Sequence, residues 1–162
     1  ESLKKLNDSK QLTEKVREDL FSVIEGAPII EFAVSIVDAG VIDQINILKA
    51  THRAMNDALS QLNPKAHHAL VDGNSVKTLA IPETAIVKGD SKSFSIAAAS
   101  ILAKVTRDRL MCEFHKNWPE YGFASHKGYG TAAHLEAIAA HGPCPIHRRS
   151  FAPLRTAQPE LF

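Results

Sequence analysis

A chain of 162 residues with 44% apolar content fits one domain with a hydrophobic core of its own. Its net charge is only +1, so no polybasic tail marks it for nucleic acid, and any cationic surface is local. Two cysteines are too few for a disulfide scaffold, and no apolar run reaches the roughly 18 residues of a membrane span, so the expected setting is cytoplasmic, reducing and free of membrane.

In chain order, Thr13 is placed to cap a helix whose apolar positions Val16, Leu20, Val23 and Ile24 recur at helical spacing and which ends near Gly26-Ala27-Pro28. Ile29 to Val37 is apolar and partly β-branched, and Asp38-Ala39-Gly40 breaks it, which predicts a strand. From about Asp43 to Leu62 the positions Leu48, Thr51, Met55, Leu59 and Leu62 predict one helix, stopped by Asn63-Pro64. Short strands are expected at His68 to Asp72 and at Thr84 to Val87. A long helix follows over the alanine-rich run, then a Trp/Tyr/Gly/His loop from Trp118 to Gly130, a helix from Thr131 to Ala140 and a Pro-rich end. The order α-β-α-β-β-α-α points to an α/β layered domain without internal repeat or linker.

The alanine-rich helix carries an unusual stripe. At about 100° per residue, Ala97, Ser100, Lys104 and Asp108 fall within about a third of a turn. Small residues at one end of the stripe allow a close approach, and Asp108 offers an oxygen donor at the other. A solvated Lys104–Asp108 pair on a tightly packed helix is the plainer explanation. Asp72 stands at the end of an apolar strand, where α/β sheets present ligand-binding groups, although Asp72-Gly73 is also a common turn dipeptide. Two carboxylates from separate elements are what a hard divalent cation requires.

Six segments together carry a resemblance: LNDSKQL (Leu6 to Leu12), VDGN (Val71 to Asn74), KGDSK (Lys88 to Lys92), SIAAASILAKVTRD (Ser95 to Asp108), GFASHKGYGT (Gly122 to Thr131) and HGPCPIHRRSF (His141 to Phe151). Over nearly its whole length, and in the same order, the chain resembles bacterial ribonuclease HII. The resemblance implies an α/β ribonuclease H-like fold, a mixed β-sheet flanked by helices, with residues 1–162 forming a single catalytic domain that includes a C-terminal helix and tail from about residue 131. It further implies an endonuclease that uses Mg²⁺ or Mn²⁺ to cut the RNA strand of RNA–DNA hybrids, and to cut at single ribonucleotides embedded in duplex DNA. By that resemblance Asp72 and Asp108 match two of four metal-binding and catalytic carboxylates, and Tyr129 matches the tyrosine that packs on the sugar at the ribonucleotide junction. Lys10, Lys88, Ser91 and Lys92 match positions near the nucleic-acid backbone. These roles make physical sense. The 2′-hydroxyl distinguishes ribose from deoxyribose, so sugar must be contacted, and a few placed lysines and backbone N–H groups hold phosphate without a large basic face.

The sequence departs from the family pattern in one respect. The other two carboxylates lie in an Asp-Glu-Xaa-Gly-Arg-Gly segment, on the first strands of the fold and upstream of the Asn-Asp-Ser-Lys motif, and neither that segment nor those strands are in this sequence. The expectation is a natural protein with an N-terminal stretch ahead of Glu1, and no activity from these 162 residues alone. The alternative function is a non-catalytic hybrid-binding remnant that keeps Tyr129 and the backbone contacts.

Other constellations carry less. His141, Cys144 and His147 have zinc-like spacing, but no fourth ligand is evident in the sequence, which favours a structural clamp. Ser100 and Lys104 lack a nucleophile-elbow motif, and Lys88 to Ser93 lacks the paired glycines of a P-loop. Trp118, Tyr121 and Phe123 suit a hydrophobic cluster better than a base-stacking platform, and His126 suits a structural hydrogen bond.

Overall fold

Thr13 caps the first helix, α1 (Glu14–Glu25), as its sequence predicts: the Thr13 hydroxyl accepts a hydrogen bond from the Val16 N–H at 3.4 Å. The structure is a computed structural model and describes Ser9 and residues 11–155. The chain divides into two compact units, one made of Glu1–Ser35 and His52–Thr106 and the other of Ile36–Thr51 and Arg107–Phe162.

In the first unit, the i, i+4 pair Leu20 and Ile24 of α1, with Phe21, packs against Ile101, Leu102 and Val105 of the long helix α4 (Phe94–Asn117). Burying each such side chain contributes about 1.5–3 kcal/mol, so this contact anchors the N-terminal part of α4. The alanine run serves it directly. Ala97 is buried and Ala98 lies at the edge of the cluster, so the small side chains let the helix sit close to its neighbours.

Two strands, β1 (Ala69–Asp72) and β2 (Glu83–Ile86), pair in parallel with Ala69 opposite Glu83 and Asp72 opposite Ile86. Both fall within a residue or so of the predicted spans. The ladder runs one step further, the Gly73 N–H donating to the Ile86 carbonyl at 3.0 Å. The segment joining them is tied to helix α3 (Ile47–Gln61) by Asn56, whose amide donates to the Thr78 carbonyl at 2.9 Å and accepts from the Ala80 N–H at 2.8 Å.

Two expectations are corrected. Ile29 to Val37 forms no strand. Its β-branched composition favours extended backbone, but a strand needs a ladder partner, and among the described residues the sheet contains only β1 and β2. Ile30 and Phe32 instead pack on the α1–α4 cluster, while Ile29 is 92% exposed. The single helix expected over Asp43 to Leu62 is two, α2 (Ala39–Ile45) and α3, because Asn46 takes φ 68° and ψ 164° between them. Asn46 then caps α3, its side-chain oxygen accepting from the Lys49 N–H at 3.1 Å. Asp38, read as a strand breaker, caps α2 by accepting from the Val41 N–H at 2.9 Å.

The second unit is built around Met111, Tyr121, Phe123 and Cys144, with Phe114, Trp118, Ala137, Ile138 and Ile146 packed on them. The expected loop from Trp118 to Gly130 contains a 3₁₀ turn at Pro119–Tyr121 and a short helix, α5 (Phe123–His126). Thr131 caps α6 (Ala132–His141), and a last short helix, α7, spans Ala152–Arg155. Tyr121 and Phe123 stack with ring centroids 5.4 Å apart in the core, so they are the hydrophobic cluster rather than a platform for bases.

Asp43 of α2 holds the HRRS turn. It accepts hydrogen bonds from the Arg149 N–H at 2.7 Å and from the Ser150 N–H and hydroxyl at 3.0 and 2.5 Å. Burial works to raise its pKa, but the Ser150 and Arg149 bonds and the Arg148 charge outweigh it, and the carboxyl lies below its ordinary value. The stabilisation is therefore complete above the unfolded-state pKa of about 3.9 and fades as pH falls through the lower folded value. Asp43→Ala is expected to cost on the order of 1 kcal/mol at pH 7, allowing for solvent screening. In urea melts at several pH values, the gap between wild type and variant should close only below about pH 4.

Candidate functional site

In the first unit, Asp72 ends β1 with an exposed side chain. One carboxylate oxygen, Oδ1, accepts from the Gly89 N–H at 2.7 Å, which sets the side chain's direction from the turn after β2. A side chain at Gly89 would be crowded: its Cβ would lie 2.5 Å from Ile96 Cδ1, and 3.4 Å from Asp72 Oδ1, so Ile96 or the turn would have to shift. Lys88, just before it, is exposed and left-handed at φ 55°. Ser91 Oγ donates to the Lys88 carbonyl at 2.9 Å and Lys92 Nζ to the Val87 carbonyl at 2.8 Å, so both side chains brace the turn while remaining at the surface. The same turn and the start of α4 line a recess of about 90 Å³ that includes Ser91, Lys92 and Ser93.

In the second unit, Asp108 is buried on α4 at 7% exposure, and its neighbour Arg107 organises the loop that carries Tyr129. Arg107 Nη1 donates to the Lys127 carbonyl at 2.6 Å, and its guanidinium carbon lies 5.4 Å from the centre of the Tyr129 ring, within cation–π range. Gly128 takes φ 76° there, and a Cβ on it would lie 2.9 Å from Met111 Cε. Tyr129 is 58% exposed.

Of the residues singled out in the sequence, Asp72, Lys88, Ser91 and Lys92 thus gather at the β1 end and the β2–α4 turn, and Asp108 and Tyr129 lie in the second unit. Lys10 lies outside the described residues. Ser100 Oγ donates to the Ala97 carbonyl at 2.9 Å, the ordinary local bond of a helical serine. His126 makes the structural bonds expected of it, donating to the Tyr121 carbonyl at 2.6 Å and accepting from the Gly128 N–H at 3.1 Å. Arg107, Gly89 and Gly128 were missed. Each stands inside a quoted motif, but only the packing around it reveals its role.

Carboxylate oxygens such as those of Asp72 and Asp108 are the donors a hard divalent cation takes. Among the described residues, however, no group of three or more His, Cys, Asp or Glu is placed to hold a metal ion, so those residues do not complete such a site. For the zinc-like His141-Cys144-His147 spacing the geometry shows another use. His147 Nδ1 accepts from the Cys144 N–H at 3.0 Å, and its lone pair is occupied within the protein.

The family model described as Ribonuclease HII matches residues 2–154. The chain belongs to the ribonuclease HII family. It is 53% identical over 146 residues to Ribonuclease HII of Ruminiclostridium cellulolyticum, covering 90% of this chain and 57% of that protein. It is 55% identical over 149 residues to Ribonuclease HII of Geotalea daltonii, covering 92% of this chain and 68% of that one. The chain spans less than two thirds of the first of these relatives. Among solved structures, the ribonuclease H2 from Pyrococcus horikoshii OT3 superposes with a TM-score of 0.76 at 29% identity, over 95% of this chain and 81% of that one. The fold is therefore the α/β, ribonuclease H-like fold of the ribonuclease HII family. No helix among the described residues is long and apolar enough to cross a membrane.

Proposed function

We propose that this ribonuclease HII chain belongs to a metal-dependent endonuclease that hydrolyses the RNA strand of RNA–DNA hybrids and cuts at ribonucleotides embedded in duplex DNA, by two-metal-ion phosphodiester hydrolysis. Residues 1–162 act in it as one catalytic domain. Asp72 and Asp108 supply two of its metal-binding carboxylates, with Mg²⁺ or Mn²⁺ as the cofactor. Tyr129 packs on the sugar that bears the 2′-hydroxyl, and Lys10, Lys88, Ser91 and Lys92 lie along the nucleic-acid backbone. Its setting is the cytoplasm, and its use the removal of ribonucleotides from DNA during replication and repair.

The observation that carries this reading is the Asp72 carboxylate, exposed at the end of β1 and aimed by the Gly89 N–H, an oriented anion ready to take a cation. Family membership makes nuclease chemistry the natural use of it. The second reading is a hybrid-binding remnant without catalysis that keeps Tyr129 and the backbone contacts.

One experiment separates the two. A polypeptide of these 162 residues is incubated with Mg²⁺ and a duplex DNA carrying one ribonucleotide, beside the same residues extended N-terminally by an Asp-Glu-Xaa-Gly-Arg-Gly segment of the family pattern. Cleavage is expected from the extended protein and not from the 162 residues alone. A folded extended protein that binds the duplex without cutting it would favour the remnant. Robust cutting by the 162 residues alone would show that the two carboxylates suffice.

A further inference from the structure

We infer that His147 and His134 form a proton-ordered relay that holds the backbone of Tyr129, making both histidines positioning residues for the contact with the ribonucleotide sugar. This rests on the reading of Tyr129 given above and names what keeps that tyrosine in place.

The hydrogen-bond partners allow one arrangement of protons. His147 Nδ1 faces the Cys144 backbone N–H at 3.0 Å, a donor, so Nδ1 carries no proton and Nε2 does. His134 Nδ1 faces the Tyr129 carbonyl at 2.9 Å, an acceptor, so Nδ1 carries the proton and Nε2 is bare. The two Nε2 atoms lie 3.0 Å apart, and the His147 proton fills the space between them. The chain therefore reads Cys144 N–H to His147, His147 N–H to His134, and His134 N–H to the Tyr129 carbonyl, with every donor matched to an acceptor.

Tyr129 is held on both sides of its α-carbon. Its carbonyl also accepts from the Thr131 N–H at 2.8 Å, and its own N–H donates to the His126 carbonyl at 2.9 Å. The His126 ring stacks on His134 with centroids 4.3 Å apart. The exposed tyrosine ring thus projects from a backbone held by the His126 carbonyl on α5 and by the His134 imidazole on α6, which His147 supports from the segment after α6. A ring that must select a sugar by packing gains from such rigidity, since ordering it on binding would cost affinity.

An added proton is poorly accommodated in this arrangement. On His134 Nε2 it would point at the His147 N–H, and on His147 Nδ1 it would meet the Cys144 N–H and only the Cys144 sulfur, a weak acceptor, at 3.0 Å. The titratable groups around the pair are His126 stacked on His134, Tyr121 with its ring 4.9 Å from His147, and the Cys144 thiol, with His141 and Glu120 beyond Tyr121. Burial, the neighbouring imidazoles and poor acceptor geometry all oppose charge, and both His134 and His147 lie below the ordinary histidine value, with burial the largest cause. Burial likewise pushes the Cys144 thiol up, so it stays protonated beside His147.

The test has two parts, both on the 162-residue chain. Nitrogen-15 imidazole spectra of the wild type should show His134 protonated on Nδ1 and His147 on Nε2, with both gaining charge only below about pH 6.5. His134 protonated on Nε2 alone, or either ring charged at pH 7, would overturn the relay. The second part measures the ratio of affinities for duplex DNA with and without a single ribonucleotide. His134→Leu should shrink that ratio on the order of tenfold, the scale of one hydrogen bond, while His134→Asn, whose amide N–H replaces Nδ1–H, should keep it within about twofold. Tyr129→Ala separates the two claims. If it abolishes the ratio while His134→Leu leaves it intact, the relay has no positioning role although the tyrosine contact stands. If Tyr129→Ala leaves the ratio unchanged, the sugar contact itself is wrong and the positioning role falls with it. Should His134→Leu fail to fold, the wild-type spectra still decide the proton order.

Discussion

Replacing Asp72 or Asp108 by asparagine, in a polypeptide that carries the N-terminal carboxylate segment, is expected to lower cleavage at an embedded ribonucleotide by on the order of a hundredfold or more. A metal ligand contributes to several kcal/mol of charge stabilisation at the transition state, and each 1.4 kcal/mol or so is tenfold in rate. Asparagine is the informative choice because the two positions differ. At Asp72 it keeps a side-chain oxygen for the Gly89 N–H, so the turn after β2 survives and only the charge is lost. At Asp108 it preserves shape at a buried position of α4. Far-ultraviolet circular dichroism should be unchanged for both variants. Single-turnover cleavage across a series of Mg²⁺ concentrations then separates weakened metal binding, which excess metal rescues, from a defect in the chemical step, which it does not. Unchanged cutting by either variant would remove that carboxylate from the mechanism.

Much of this was legible in the sequence because it depends on local chemistry. The cap at Thr13, the strand end at Asp72 and the small-residue face of α4 follow from side-chain oxygens, periodicity and turn residues acting within a few positions. What failed needed partners distant in the chain. Ile29 to Val37 has the composition of a strand but no ladder partner among the described residues. The break between α2 and α3 lies in one backbone torsion, at Asn46, inside an otherwise helical period. The histidines show the same divide. Spacing draws the eye to His141, Cys144 and His147, whereas the protein connects His126, His134 and His147 through a stack and a shared proton, which no spacing rule encodes. Arg107 is hard to read from sequence for a similar reason: its role appears only when Lys127 and Tyr129 come back over it.

Gly89→Ala should lower stability, and a second mutation should restore part of the loss. The new Cβ would come within 2.5 Å of Ile96 Cδ1, a distance real Cβ atoms do not tolerate, and Ile96 is itself buried, so it has little room to swing away. Overpacking of this kind costs about 1–3 kcal/mol. The relief comes either from Ile96 leaving its rotamer or from the turn backing off β1, and the second route pulls the Gly89 N–H away from Asp72. Ile96→Val removes the offending Cδ1 and costs about 0.5–1.5 kcal/mol on its own. If the contact is the cause, Gly89→Ala with Ile96→Val will be more stable than the sum of the single losses predicts, by on the order of 1 kcal/mol in a double-mutant cycle read from urea melts. Strict additivity would mean that the strain lies elsewhere in the turn. In the catalytically competent polypeptide the same pair reports on function. Gly89→Ala should lose cleavage along with stability, because the carboxylate loses its guide, and the double variant should recover both together.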